Sequence, residues 1–125
     1  MELKLSILDT SDTPIYRQLY DQGASQVIRG DLTGGYCLPP IRQIAADLGI
    51  SVISIKRAWE ELERDGFITT MVGRGCFIRT LSDYERDELR RTLALDRLRK
   101  SMPVYYSLGM SRDDLIRLIR EYCTE

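Results

Sequence analysis

The chain has 125 residues, 43% of them apolar, 30% charged and 8% aromatic, which suits one globular domain plus about a third of a second and excludes two full domains. Eighteen Lys and Arg against nineteen Asp and Glu leave a net charge of -1, so no global basic excess marks a polyanion partner and any such site must be local. The absence of His removes the commonest general base and metal ligand, and with them every Ser-His or Cys-His nucleophilic pair.

Apolar runs are only a few residues long, far short of the roughly 20 that span a bilayer, so no membrane partner is expected. Met1-Glu2-Leu3-Lys4-Leu5 has neither the long apolar stretch nor the small-residue cleavage site of a secretory signal, and a cytoplasmic location is the expectation. Cys37, Cys76 and Cys123 are odd in number and form no CxxC pair, which argues against a disulfide framework and a zinc site. No metal and no cofactor are expected.

Thr13-Pro14 reads as a helix start, with Thr13 as the cap and Pro14 at the first helical position. Tyr16, Leu19, Tyr20, Gly23 and Val27 then recur at three- and four-residue spacing in a helix ending near Gly30. Gly23 costs about 1 kcal/mol relative to Ala in a helix interior, so close packing of a neighbouring helix is its simplest explanation. Leu38-Pro39-Pro40 opens a second, short helix with a buried stripe of Ile41, Ile44, Ala45 and Leu48. Gly49-Ile50 makes the turn, and Ser51 caps a third helix running to about Asp65, which together form a helix-turn-helix. Val52, Ile55, Trp59 and Leu62 are read as its buried face, with Trp59 a core anchor, while Ile53, Ser54, Lys56, Arg57 and Glu60 look outward.

After Gly66 the period changes. Residues 67–71 and 76–79 are strand-like runs around Gly73-Arg74-Gly75, which makes the whole a winged helix with Arg74 at the wing tip. Ser82 and Glu85 match a capping box opening a helix that carries Leu89, Leu93, Leu95, Leu98 and Met102, with Pro103 expected to kink or interrupt it. Leu108-Gly109 is a stop signal, and Ser111 starts a last helix with Leu115, Ile116, Leu118, Ile119 and Tyr122. Two such helices cannot hide their apolar stripes against each other alone, and a second copy of the chain is the expected cover. The fold class is therefore mainly α with a small β-hairpin wing: a winged helix-turn-helix over residues 1–80 and a two-helix dimerisation tail over residues 81–125. Leu89, Leu93, Leu98, Leu115, Ile119 and Tyr122 are the candidate dimer contacts, and no enclosed effector pocket of several hundred Å³ is expected in the tail.

Residues 1–80 hold nine basic and ten acidic side chains, and residues 81–125 nine of each, so position matters more than sum. Arg42 falls in the first turn of the second helix, Lys56 and Arg57 in the third, and Arg74 at the wing. Glu60, Glu61, Glu63 and Asp65 crowd the far half of the third helix, away from a duplex entered by its N-terminal end. The candidate DNA-binding set is Arg42, Ser51, Val52, Ile53, Ser54, Lys56, Arg57, Gly73 and Arg74, with Arg57 and Arg74 as phosphate contacts.

The series Leu38-Pro39-Pro40-Ile41-Arg42, Ala45-Ala46-Asp47-Leu48-Gly49-Ile50-Ser51, Lys56-Arg57-Ala58-Trp59-Glu60-Glu61-Leu62-Glu63, Asp65-Gly66-Phe67-Ile68 and Gly73-Arg74-Gly75-Cys76-Phe77 resembles the DNA-binding domain of the GntR family of bacterial transcriptional regulators. It spans about half of the chain, and the short helical tail is similar to the YtrA-type branch, which dimerises through that tail. The resemblance implies a homodimeric repressor bound to a two-fold symmetric double-stranded DNA operator, with half-sites about 34 Å apart or a multiple of it. It also implies that Arg42 and Lys56 contact bases or phosphates and that Gly73 lies near the minor groove. Pro40 stands where the family has a Ser cap, and Val52-Ile53 replaces residues able to donate to base edges. The alternative is a winged helix that binds protein without DNA, which the near-zero charge favours. Enzyme activity is not expected, because no paired carboxylates, phosphate loop or activated nucleophile is present.

Overall fold

The computed structural model describes residues 2–123. The elements are α1 (Ile15–Ile28), α2 (Ile41–Leu48), α3 (Val52–Arg64), β1 (Ile68–Met71), β2 (Gly75–Ile78), α4 (Asp83–Ser107) and α5 (Arg112–Tyr122). The chain divides into two compact units, residues 1–86 and residues 87–125.

Helix α1 starts differently from the sequence expectation. Pro14, not Thr13, is the N-cap residue, and no side chain caps the helix. Its carbonyl accepts from the N–H groups of Arg17 and Gln18 at 3.0 and 3.1 Å, while the Gln18 amide reaches back to the Thr13 carbonyl at 2.9 Å. Gln18, Gln22 and Gln26, one helical turn apart, also hold the extended segment that precedes α1. Each side-chain oxygen accepts at 2.9 Å from the N–H of Leu8, Ser6 or Lys4 respectively, and each amide nitrogen donates to the carbonyl of the same residue at 3.2, 2.8 and 2.8 Å. Side chains thus do for this segment what a neighbouring strand does in a sheet.

The core of the first unit forms where α1 and α2 pack on α3. Leu19, Ala24, Ile44, Ile55, Ala58, Trp59, Leu62 and Phe67 are buried. A Cβ on Gly23 would come within 3.1 Å of the Leu62 side chain, a tight contact that the glycine spares where α1 crosses α3. Within α2 only Ile44 and Ala45 are buried, and Ile41 and Leu48 are half-buried. Gly49 ends α2 with φ of 67°, a left-handed conformation that strains any residue with a Cβ, and so turns the chain into α3, which starts three residues later at Val52. Ser51 caps α3 as expected, its hydroxyl accepting from the Ser54 N–H at 3.2 Å.

β1 and β2 pair antiparallel with Ile68 opposite Ile78 and Met71 opposite Gly75. A third extended piece joins them, since Cys37 bridges to Phe77, Leu38 N–H donates to the Cys76 carbonyl at 2.9 Å and Ile78 N–H to the Tyr36 carbonyl at 2.9 Å. The wing is thereby anchored to the segment that leads into α2.

The Ser82–Glu85 capping box forms, with Glu85 N–H donating to the Ser82 hydroxyl at 3.1 Å and Ser82 N–H to the Glu85 carboxylate at 3.3 Å. Pro103 does not interrupt α4, which is continuous over 25 residues. Pro103 is exposed, and so is Arg99 one turn before it. The Arg99 carbonyl that loses its helical donor can therefore be satisfied by water, and the helix tolerates the proline. After Ser107 the Gly109 and Met110 N–H groups donate to the carbonyls of Tyr106 and Tyr105 at 3.0 and 3.2 Å, the double bond of a Schellman stop. Ser111 and Asp114 form a reciprocal capping box at the start of α5, and these bonds to Ser111 hold the Asp114 carboxyl below the usual carboxylate range.

Candidate nucleic-acid interface

The structure places the nine expected DNA-binding residues on three elements of the first unit. Arg42 is exposed in the first turn of α2; Ser51 through Arg57 form the N-terminal half of α3 and its cap; Gly73 and Arg74 are exposed in the wing loop. One correction concerns Val52. The spacing predicts it on the buried face with Ile55, Trp59 and Leu62, but it is 42% exposed and Ala58 takes the fourth core position. The first residue of a helix has no preceding turn to pack beneath it, so the periodicity that fixes Ile55 does not bury Val52.

Ser51 and Ser54 meet each other. Their hydroxyls lie 3.1 Å apart, and the Ser51 hydroxyl also accepts from the Ser54 backbone. Arg57 is held from two sides: its guanidinium carbon sits 3.7 Å from the centroid of the Tyr16 ring, and its Nε lies 3.5 Å from Glu61. The sequence marks Tyr16 only as one of the helix-packing positions of α1. Its role under Arg57 has no local signal, because it depends on the crossing of α1 and α3.

Ion pairing separates the remaining cations. From α1 to the end of the wing the sequence has eight, namely Arg17, Arg29, Arg42, Lys56, Arg57, Arg64, Arg74 and Arg79. Five have a carboxylate within 4.0 Å: Arg17 with Asp21, Arg29 with Asp31, Arg57 with Glu61, Arg64 with Glu61 and Asp65, and Arg79 with Glu85. Among the described residues no such pair involves Arg42, Lys56 or Arg74. Three of the four acids in the far half of α3, Glu61, Glu63 and Asp65, are occupied locally. Glu63 accepts from the Thr70 N–H and hydroxyl at 3.1 and 3.0 Å, which ties β1 to α3. Asp65 accepts from the buried Tyr20 hydroxyl at 2.5 Å and from Arg64 at 3.1 Å. Burial pushes the Asp65 carboxyl up, but the hydrogen bonds from Arg64 and Tyr20 outweigh it and leave it below the usual carboxylate range. Burial and the same carboxylate push the Tyr20 phenol well above its ordinary value.

The wing tip is a turn in which the Arg74 N–H donates to the Met71 carbonyl at 2.8 Å. Gly73 supplies the positive φ of 78° that this turn needs at its third position. Val72, 99% exposed, stands beside it. Sequence reasoning misses Val72, whose only signal is an apolar residue in a turn.

In the second unit Leu98, Ile119 and Tyr122 are exposed, Leu89 and Leu93 half-buried, and Leu115 buried. A groove of about 460 Å³ is lined by Leu98, Met102, Tyr105, Leu115, Ile116 and Ile119 among others. The sequence predicts no enclosed pocket of several hundred Å³ in the tail; a groove of that volume is present, lined by residues of α4 and α5 and partly open to solvent. No helix among the described residues is long and apolar enough to cross a membrane.

A helix-turn-helix followed by a β-hairpin that is braced against it defines a winged-helix protein, and comparison with known proteins assigns it further. The profile of the bacterial regulatory proteins of the gntR family matches residues 15–78. The uncharacterized HTH-type transcriptional regulator YhcF of Bacillus subtilis is 30% identical over 90% of this chain and 92% of its own. The HTH-type transcriptional repressor YtrA of the same organism is 29% identical over 89% of this chain and 85% of its own. A crystal structure described as a transcriptional antiterminator from Listeria monocytogenes EGD-e superposes with a TM-score of 0.75 at 27% identity, covering 98% of this chain and 91% of that one. The chain belongs to the GntR family of bacterial regulatory proteins, and the similarity to YtrA and YhcF runs through the tail, as in the short YtrA-type branch. It is a DNA-binding transcriptional regulator of that family.

Proposed function

We propose that the protein represses transcription as a cytoplasmic homodimer bound to a two-fold symmetric operator, with residues 1–80 binding DNA and residues 81–125 joining the two copies. The observation that carries the DNA face is that, among the described residues, the exposed cations Arg42, Lys56 and Arg74 on α2, α3 and the wing have no carboxylate partner. A cation already paired must break that pair to reach a phosphate, whereas these need not. In a winged helix α3 enters the major groove, so Ser51 through Arg57 meet base edges and backbone, and Gly73 and Arg74 lie along the flanking phosphates. Arg57, steadied by Tyr16, contacts phosphate rather than a base and gives up its exposed pair with Glu61 to do so.

Dimerisation is supported by Leu98, Ile116, Leu118, Ile119 and Tyr122, which are all exposed. Such a density of apolar surface on a small unit marks an interaction face, and a C2 interface covers it with its own copy. Repression is supported by the description of YtrA as a repressor. Selection of bound duplexes from random oligonucleotides, with sedimentation of the free protein, tests the reading. Enrichment of an inverted repeat and a dimer at micromolar concentration are expected; a monomer that enriches no sequence would contradict it.

A further inference from the structure

The N-terminal turn of α3 presents an apolar surface where a DNA reader ordinarily presents hydrogen-bond donors. Ile53 is 78% exposed, and Val52 beside it is exposed as well. Of the two polar side chains of the turn, one hydroxyl donates to the other, since those of Ser51 and Ser54 lie 3.1 Å apart, and Ser51 also caps the helix, which leaves a single hydroxyl hydrogen for a base. Ile53, Lys56 and Glu60 share one outward stripe at spacings of three and four residues, all three exposed. The leading group on that stripe is therefore a branched hydrocarbon with a lone cation one turn behind it.

In the major groove only one base presents an apolar group, the 5-methyl of thymine. We infer that Ile53 is a specificity-determining residue that packs on a thymine methyl in each half-site, so that the operator is selected at that position for T over C by hydrocarbon contact rather than by a donated hydrogen bond. The inference rests on the reading that α3 enters the major groove. Lys56 then lies toward the base or phosphate one turn further along the same stripe.

The experiment replaces the thymines of a selected operator one at a time by deoxyuridine, which removes the 5-methyl and leaves base pairing intact, and measures binding of the full-length protein. One or two symmetry-related thymines per operator should show an affinity loss of about three- to fivefold, the scale of removing one buried methyl group. Ile53→Ala should bind the thymine operator more weakly than the parent and no longer distinguish thymine from deoxyuridine at those positions. Ile53 lies outside the core, and an unchanged melting curve checks that the variant folds. Tight operator binding that no deoxyuridine substitution weakens overturns the inference alone. Failure to bind any duplex overturns it together with the DNA reading beneath it.

Discussion

Among the described residues Arg42 and Lys56 are exposed and pair with no carboxylate, so their contribution to the folded chain is small, and the proposed role assigns them their main contribution in the operator complex. We expect Arg42→Ala or Lys56→Ala to weaken operator binding by about 1 to 3 kcal/mol while thermal melts hardly move, a pattern that parallel binding isotherms and circular dichroism melts would check. Tyr20 and Asp65 have the opposite character, since their hydrogen bond joins α1 to the end of α3. Tyr20→Phe should cost about 2 kcal/mol of stability at neutral pH, as a hydrogen bond to an ionised partner does. The Asp65 carboxyl is lowered in the folded state, so its contribution is complete above the unfolded value of about 4 and fades as pH falls below it. The Tyr20 phenol is raised, so its contribution holds below about pH 10 and fades above. Urea titrations of parent and variant from pH 3 to 10 should therefore show the largest gap between those limits; a gap independent of pH would mean that the hydrogen bond does not supply that stability.

At the scale of elements, most of the first unit is legible because local signals agree. Ser51, Gly49 and the Ile55, Trp59, Leu62 spacing each point to α3 and its turn, and the structure has all three. Two features are not legible, since their partners are distant in sequence. The glutamines of α1 bracket the chain before the helix, yet as residues they read only as its polar face. The Tyr36–Leu38 segment completes the wing, but in sequence it reads as a plain approach to the second helix because three residues are too few for an alternating pattern. Pro103 reads by its intrinsic cost, and the context that tolerates it, an exposed helix, lies outside its own sequence neighbourhood. The approach of the segment just before Tyr36 to β2, where the Gly35 N–H donates to the Ile78 carbonyl at 2.8 Å, also gives Gly34 a reason. A Cβ there would run into the Thr80 backbone, so Gly34→Ala should destabilise the unit by about 1 to 3 kcal/mol, read by the fluorescence of Trp59, the single tryptophan of the chain. Stability equal to that of the parent would mean that the segment is not held as described.

For the whole molecule, the first unit has a core of its own, in which Leu19, Ile44, Ile55, Trp59 and Leu62 are buried. Truncation after Arg86 retains Glu85 and its pair with Arg79, and should leave a folded, monomeric fragment. Its operator affinity should fall by two to three orders of magnitude, because linking two half-site modules supplies an effective concentration of order millimolar. Sedimentation and binding of the fragment check both steps, and undiminished affinity would remove the dimer from the mechanism.

Arg42, Lys56 and Arg74 are proposed to form the polyanion face of a nearly neutral chain. The most direct test is the slope of log affinity against log salt concentration for the parent and for the triple variant Arg42→Ala, Lys56→Ala, Arg74→Ala on one operator duplex. Removing one cation that neutralises a phosphate should flatten the slope by about 0.9. A flattening of up to about 2.7 is therefore expected if all three meet phosphate, and less if one of them reads a base. A triple variant with the slope and affinity of the parent would contradict the claim.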